Sequence, residues 1–301
     1  MDLQPKLLDA ARPLRLYGTT PPRAGTPPGQ VDAAAGKLAA RLAGLTLDAL
    51  VVYDIQDETG RIERQRPFPF LGTVDPRDYA RFFGLPTIVY KALGNVDEAG
   101  WKAWLDGSRG MQYLSVVGRP AAGKYALPLS RAIRIAAAHA AGYTIGGVVI
   151  AERHTAERSE AARLLAKGIE GCRYFISQTV YHAPPTERLL ADYLRDCRGA
   201  GIEPRRIVLT FAPVGRDKTL AFLRWLGVNV TPETEREILG AAQPIAQSIR
   251  ICCDNLRRIL DGKYAASVPL GVNVESVSIN RDEIDASVDL FHALGEVLQG
   301  R

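Results

Sequence analysis

The sequence predicts an α/β protein built as a (β/α)8 TIM barrel, a parallel sheet of eight strands closed on itself. Three observations carry this. Short β-rich runs alternate with longer amphipathic helical runs along the chain. The β-rich runs are apolar nearly throughout, as strands covered on both faces must be. Eight such units are present, whereas a doubly wound open sheet needs only five or six strands. A length of 301 residues accommodates one barrel of about 250 residues with insertions. Apolar residues make up 47% and charged residues 24%, with 28 Gly and 19 Pro, which excludes collagen-like, fibrous and wholly disordered classes.

Taken in order, the first strand is LRLYGT (14–19), followed by a Pro/Gly-rich loop (20–30) and a helix, VDAAAGKLAARLAGL (31–45). DALVVYD (48–54) and TIVYKAL (87–93) are the second and third strands, and QYLSVVG (112–118) the fourth, with a helix over 126–142 after it. TIGGVVIA (144–151) is the fifth strand, with a helix over 155–171, and CRYFISQT (172–179) the sixth. The helix that follows, 184–201, starts with two prolines and stops at glycine, the expected asymmetry of helix ends. RIVLTFAP (206–213) is the seventh strand. A longer gap then predicts additional helices within 231–262 before the eighth strand, VNVESVSI (272–279). The expected organisation is one domain over 1–301, with the barrel spanning 14–299 and a helical insertion at 231–262.

A formal charge of +5 suits anionic small molecules and is too dilute for a nucleic-acid surface. No apolar run approaches the roughly 18 residues of a membrane span, and the first residues show no signal-peptide pattern. Cys172, Cys197, Cys252 and Cys253 have no C-x-x-C spacing and read as thiols of a reducing compartment. The expectation is a soluble cytoplasmic protein with a small-molecule substrate and no nucleic-acid or membrane partner. A homo-oligomer is compatible with it.

In such a barrel the chemistry sits at the C-terminal ends of the strands. The positions to inspect are therefore Gly18–Arg23, Tyr53–Glu58, Lys91–Asn95, Gly118–Tyr125, Ala151–His154, Gln178–His182, Phe211–Val214 and Asn280–Arg281. Gly118 to Tyr125 nearly matches the phosphate-cradling G-x-x-x-x-G-K-[ST]. Tyr125 cannot replace the short hydroxyl of that motif, and Pro120 removes one of its N–H groups. A Gly-rich loop between strand and helix is the better reading.

Several segments together resemble the methylenetetrahydrofolate reductase family. FISQTVYHAP (175–184) is similar to the family's F-I-T-Q-x-F-F-D on the sixth strand, and VVIAERHTAE (148–157) to its A-x-Y-P-E-x-H-P-E. LTFAPV (209–214) resembles G-I-M-P-I, SVSINR (276–281) resembles Y-T-L-N-R, and YGTTPPR (17–23) resembles F-E-F-F-P-P-K/R. Tyr125 and Ala126 match Y-A-x-D-L, and Lys167 with Gly171 matches R-K-x-x-A-G. The resemblance runs in the right order over about residues 15–298. It implies a barrel that reduces a methylenetetrahydrofolate with NAD(P)H as hydride donor, usually through FAD. Three positions depart from the pattern. Gly18 stands where the family has a catalytic glutamate, Arg119 stands where it keeps an Asp near the flavin, and Val89–Ala92 replace H-L-T-C. The FAD site is therefore expected to be altered or absent.

The resemblance and the residue chemistry together nominate a site. Gln178, donor and acceptor at a strand end, suits a pterin edge or a flavin. Arg281 can clamp a carboxylate such as a folate tail or pair with the acids of the last helix, and Asn280 precedes it. Gln178 and Arg281 are expected to share one pocket. Glu152 and Asp54 are candidate general acids, Asp54 as a substitute for the acid lost at Gly18. Arg119, Tyr125, His154 and Lys167 are candidate cofactor contacts. Each also has an ordinary reading in loop caps, ion pairs or solvated faces. The expected function is a methylenetetrahydrofolate-reductase-like oxidoreductase. The alternatives are an accessory folate- or flavin-binding barrel without catalysis, and a barrel enzyme acting on another small anion.

Overall fold

The computed structural model describes residues 3–9, 12–57, 66–94, 96–118 and 127–300. The eight strands are β1 (Arg15–Thr19), β2 (Ala49–Val52), β3 (Thr87–Ala92), β4 (Tyr113–Val117), β5 (Thr144–Val149), β6 (Tyr174–Thr179), β7 (Arg206–Phe211) and β8 (Leu270–Glu275). All pair in parallel in chain order, and β8 closes on β1 through pairs such as Gly18 with Glu275. The helices are α1 (Gln4–Leu8), α2 (Pro28–Leu42), α3 (Pro76–Ala80), α4 (Glu98–Gly107), α5 (Leu129–Ala137) and α6 (Glu160–Glu170). They continue with α7 (Ala183–Ala200), α8 (Asp217–Trp225), α9 (Pro232–Gly240), α10 (Pro244–Leu260) and α11 (Arg281–Gln299).

The strands are apolar on both faces because each face meets a different core. Alternate residues point inward or outward along a strand. Leu16, Val51, Ile88, Tyr113, Tyr174, Ile176 and Val208 fill the barrel interior. Tyr17, Leu50, Val52, Val89, Leu114, Phe175 and Leu209 face the helices. The interior is a packed layer rather than a pore, and glycine makes room for its bulkiest rings. A Cβ on Gly146 would lie 2.3 Å from the Tyr174 ring, which is fully buried and donates from its hydroxyl to the Leu114 carbonyl at 3.0 Å. The N-terminal end is stoppered by α1, whose Leu7, with Leu3 just before it, joins the interior core.

Several helix ends follow local chemistry. Asp97, Ser159 and Thr231 cap α4, α6 and α9 by accepting from backbone N–H groups. The helix expected over 184–201 is α7, with Pro in its first turn and Gly201 at φ 64° closing it. The insertion expected at 231–262 is α9 and α10. The eighth strand is displaced from its expected range and ends at Glu275. Beyond it the serines bond locally, Ser276 Oγ donating to the Ser278 carbonyl at 3.1 Å and Asn280 N donating to Ser278 Oγ at 2.9 Å. Such side-chain bonds compete with a strand ladder.

The β7–α8 connection is tied to α11 by a buried carboxylate. Glu283 accepts from Gly215 N at 2.8 Å and from Thr219 Oγ1 at 3.0 Å. Glu283→Gln puts an amide donor against one of these donors. It is expected to cost about 1.5–3 kcal/mol, read as a lowered urea midpoint at unchanged slope.

Among the described residues, no helix is long and apolar enough to cross a membrane, and no cluster of His, Cys, Asp and Glu could hold a metal ion. The four cysteines are buried and unpaired.

Candidate functional site

The C-terminal ends of β1, β2, β6, β7 and β8 bring together a polar cluster on an otherwise apolar interior. Asn273 and Glu275 lie on alternate positions of β8, between valines that face the helices. Asn273 donates from Nδ2 to the Tyr53 hydroxyl at 2.7 Å and to Thr210 Oγ1 at 3.2 Å. The Tyr53 hydroxyl also faces the Glu275 carboxyl, which accepts from Thr179 Oγ1 at 3.0 Å. Burial pushes the Glu275 carboxyl above its ordinary value, while the hydroxyls of Tyr53 and Thr179 oppose that rise. Among the described residues, no basic side chain forms an ion pair with it.

Gly18 makes this arrangement possible. A Cβ there would lie 2.5 Å from the Tyr53 hydroxyl, so the tyrosine occupies the room that a side chain on β1 would need. The far side of Tyr53 is held by Tyr90, edge to face at 4.9 Å between ring centres. Glu275 was not among the sequence candidates. Its signal is the pattern Val272-Asn273-Val274-Glu275, two polar residues at the strand period within an apolar run.

A second group gathers at the ends of β5 and β6. Gln178 donates from Nε2 to the Leu226 carbonyl at 2.6 Å, while its Oε1 is buried with no partner among the described residues. A carbonyl can only accept, so this bond fixes which end of the amide is which. Glu152 lies in a 3-10 turn after β5 and accepts from Asn229 N at 3.4 Å, and burial raises its pKa. Both side chains meet the turn that follows α8, which reverses at Gly227 with φ 86°. The structure thus brings Gln178 and Glu152 together through that turn.

Asp54 follows β2 and is half-buried. It accepts from Ala92 N at 2.8 Å and lies 3.5 Å from the Lys91 ammonium. Burial raises its pKa and Lys91 opposes that rise. The carboxylate clasps the ends of β2 and β3. Nearby, Gln56 donates from Nε2 to the Gly118 carbonyl at 3.1 Å, and its Oε1 is another buried acceptor with no partner among the described residues.

The other candidates are engaged within the chain. His154 accepts at Nδ1 from Glu160 N at 3.2 Å, which leaves its Nε2 to face Asp192 Oδ2 at 2.9 Å. Lys167 donates to the Val148 carbonyl at 2.7 Å and lies 3.8 Å from Glu160, and burial lowers its pKa. Together these contacts join the β5 end, α6 and α7. Asn280 caps α11, its Oδ1 accepting from Asp282 N at 3.1 Å. Arg281 is 91% exposed at the side chain and pairs with Asp285 at 3.4 Å. The structure therefore does not bring Arg281 into a pocket with Gln178. The first turn of α11 takes up Asn280, and solvent takes up Arg281. Arg119 and Tyr125, with most of the near-match to a phosphate loop, lie outside the described residues.

The fold and the strand-end cluster define a class, a parallel (β/α)8 barrel with hydrogen-bonding side chains gathered at its C-terminal mouth. Over 99% of this chain and 100% of the other, it is similar to a solved structure from Clostridium thermocellum, at 27% identity and a TM-score of 0.82. That structure is described as an uncharacterized protein that binds two copies of 5-methyl-5,6,7,8-tetrahydrofolic acid. A phosphoenolpyruvate phosphomutase from Streptomyces platensis subsp. rosaceus aligns at 12% identity and a TM-score of 0.45, too loosely to carry an argument. No family model and no curated protein matches the chain.

Proposed function

We propose that this protein binds a reduced folate at the C-terminal mouth of its barrel. The observation that carries the reading is the whole-length likeness to a barrel described as binding 5-methyltetrahydrofolate. The chemistry of the mouth supports it. A reduced pterin presents N–H groups on its ring, and Gln178 offers a buried carbonyl oxygen with no donor of its own among the described residues. The test is calorimetric titration of the purified chain with 5-methyltetrahydrofolate. Saturable binding at one or two molecules per chain is expected. Failure to saturate, with the protein shown folded by circular dichroism, overturns the reading.

The finer proposal is a methylenetetrahydrofolate-reductase-like activity. There a proton would go to the departing N10 as the five-membered ring opens, and a hydride from NAD(P)H would go to the methylene carbon. The product is the methyl folate together with NAD(P)+. Glu152 and Asp54 favour this over a purely accessory barrel, because both carboxyls hold protons more tightly than usual at strand ends. Of the flavin candidates among the described residues, His154 and Lys167 are committed within the chain, and Gln178 keeps a free acceptor. No step is therefore routed through FAD. The expected result is a loss of NAD(P)H absorbance that depends on methylenetetrahydrofolate and is unchanged by added FAD. Tight folate binding without any such loss assigns the chain to the accessory class.

A further inference from the structure

We infer that Glu275 is the charged acceptor that anchors the ligand, taking a pair of adjacent N–H donors on a heterocycle. The inference rests on the folate reading for the identity of that heterocycle, a 2-amino-4-oxopyrimidine ring. It rests on the structure for everything else.

The strand-end cluster leaves buried polar atoms open. Thr179 Oγ1 donates to Glu275, and Gln178 Nε2 donates to the Leu226 carbonyl, which fixes Gln178 Oε1 as a buried acceptor with no partner among the described residues. Asn273 turns one end of its amide to the Tyr53 and Thr210 hydroxyls, and the other end is buried with no partner among the described residues. Asn273 itself is fully buried, directly below Glu275 on the inward face of β8. Buried polar atoms without partners are rare in folded proteins and mark the place of a water or a ligand. A site with an open amide oxygen and a carboxylate selects a donor-rich partner.

Within the cluster Glu275 is the side chain that can carry charge; burial opposes its ionised form, and a pair of donors from a ligand would offset that burial. Thr179 bonds it and Tyr53 faces it, from two other strand ends. A carboxylate has about four acceptor positions, so these two hydroxyls leave others open. Two parallel N–H groups match a carboxylate as a guanidinium fork does. The amino group and the adjacent ring N–H of a 2-amino-4-oxopyrimidine form such a pair. Tyr53 positions the carboxylate, and Gly18 leaves Tyr53 the room to do so.

The experiment compares two ligands on two proteins. 5-Methyltetrahydrofolate and its analogue with the 2-amino group replaced by methyl are titrated into the wild-type chain and into Glu275→Gln, with melting curves to verify folding. Wild type is expected to bind the analogue roughly 10- to 100-fold more weakly, the range of one charge-assisted hydrogen bond. Glu275→Gln is expected to lose a similar factor for the parent ligand and to discriminate little between the two. Equal wild-type affinity for both ligands overturns the inference without recourse to any variant. So does a folded Glu275→Gln that binds like wild type and keeps the full analogue penalty. If wild type binds neither ligand, it is the folate reading that falls.

Discussion

Gly18→Ala is expected to destabilise the protein by about 1–3 kcal/mol, the cost of overpacking a filled interior, and to weaken folate binding at least about 10-fold. The added methyl would lie 2.5 Å from the Tyr53 hydroxyl and 2.7 Å from its ring. Tyr53 cannot retreat inward, because Tyr90 packs against its other side. It must swing away, and both its bond from Asn273 and its approach to the Glu275 carboxyl are lost. Urea titration measures the stability term, and a double-mutant cycle assigns it. Gly18→Ala added to Tyr53→Leu should cost little beyond Tyr53→Leu alone, since the ring that clashes has been removed. Additive losses would show that the methyl group acts elsewhere.

The largest stability effect is expected at the opposite end of the barrel. Arg206 is almost wholly buried and donates to the carbonyls of Leu270, Asp9 and Arg12, the last at 3.0 Å. Burial pulls its pKa down to about 10, so it remains charged at neutral pH. One guanidinium at the start of β7 thus fastens the α1–β1 connection to the start of β8. Arg206→Leu keeps part of the apolar volume and leaves three carbonyls without their donor. A loss of about 3–5 kcal/mol is expected, in line with removing one member of a buried charged network. Equilibrium denaturation gives the total, and hydrogen exchange locates it, with the amides of α1 losing protection first. A loss under about 1 kcal/mol would mean that water reaches those carbonyls once the arginine is gone.

Much of the architecture was legible in the residue pattern, because it depends on local periodicity. A strand sandwiched between an interior core and a helix layer must be apolar along most of its length, and the runs at 48–54, 87–93 and 206–213 are, with their polar residues at the ends or at single positions. Pro184 and Gly201 bracket a helix by backbone geometry alone. The gap before the last strand was long enough to require helices, and α9 and α10 fill it. The last strand was placed late because VESVSI alternates like a strand, whereas its serines bond the backbone of their own turn.

The candidate site was legible only in part. Gln178 keeps an acceptor at a strand end with no partner among the described residues, and Glu152 meets the same turn. Motif matching could not show that the capping of α11 would take Asn280, or that an internal network of Glu160 and Asp192 would take His154 and Lys167. It also led away from β8. The comparison of the first strand with a known pattern found a missing glutamate at Gly18, while the carboxylate that lies beside it belongs to the neighbouring strand.

The sequence by itself determined the barrel, its order of strands and helices, and the end of the barrel to search, since these follow from side-chain periods of two and 3.6 residues read over short windows. Only the tertiary structure decided which polar side chains face one another. Tyr53 and Asn273 are 220 residues apart in the chain and 2.7 Å apart at the mouth. That pairing depends on barrel closure, which sets β8 against β1 and leaves room for a tyrosine beside a glycine. A hydrogen bond acts over about 3 Å, so its partner is fixed by the closed fold and not by the neighbouring residues in the chain.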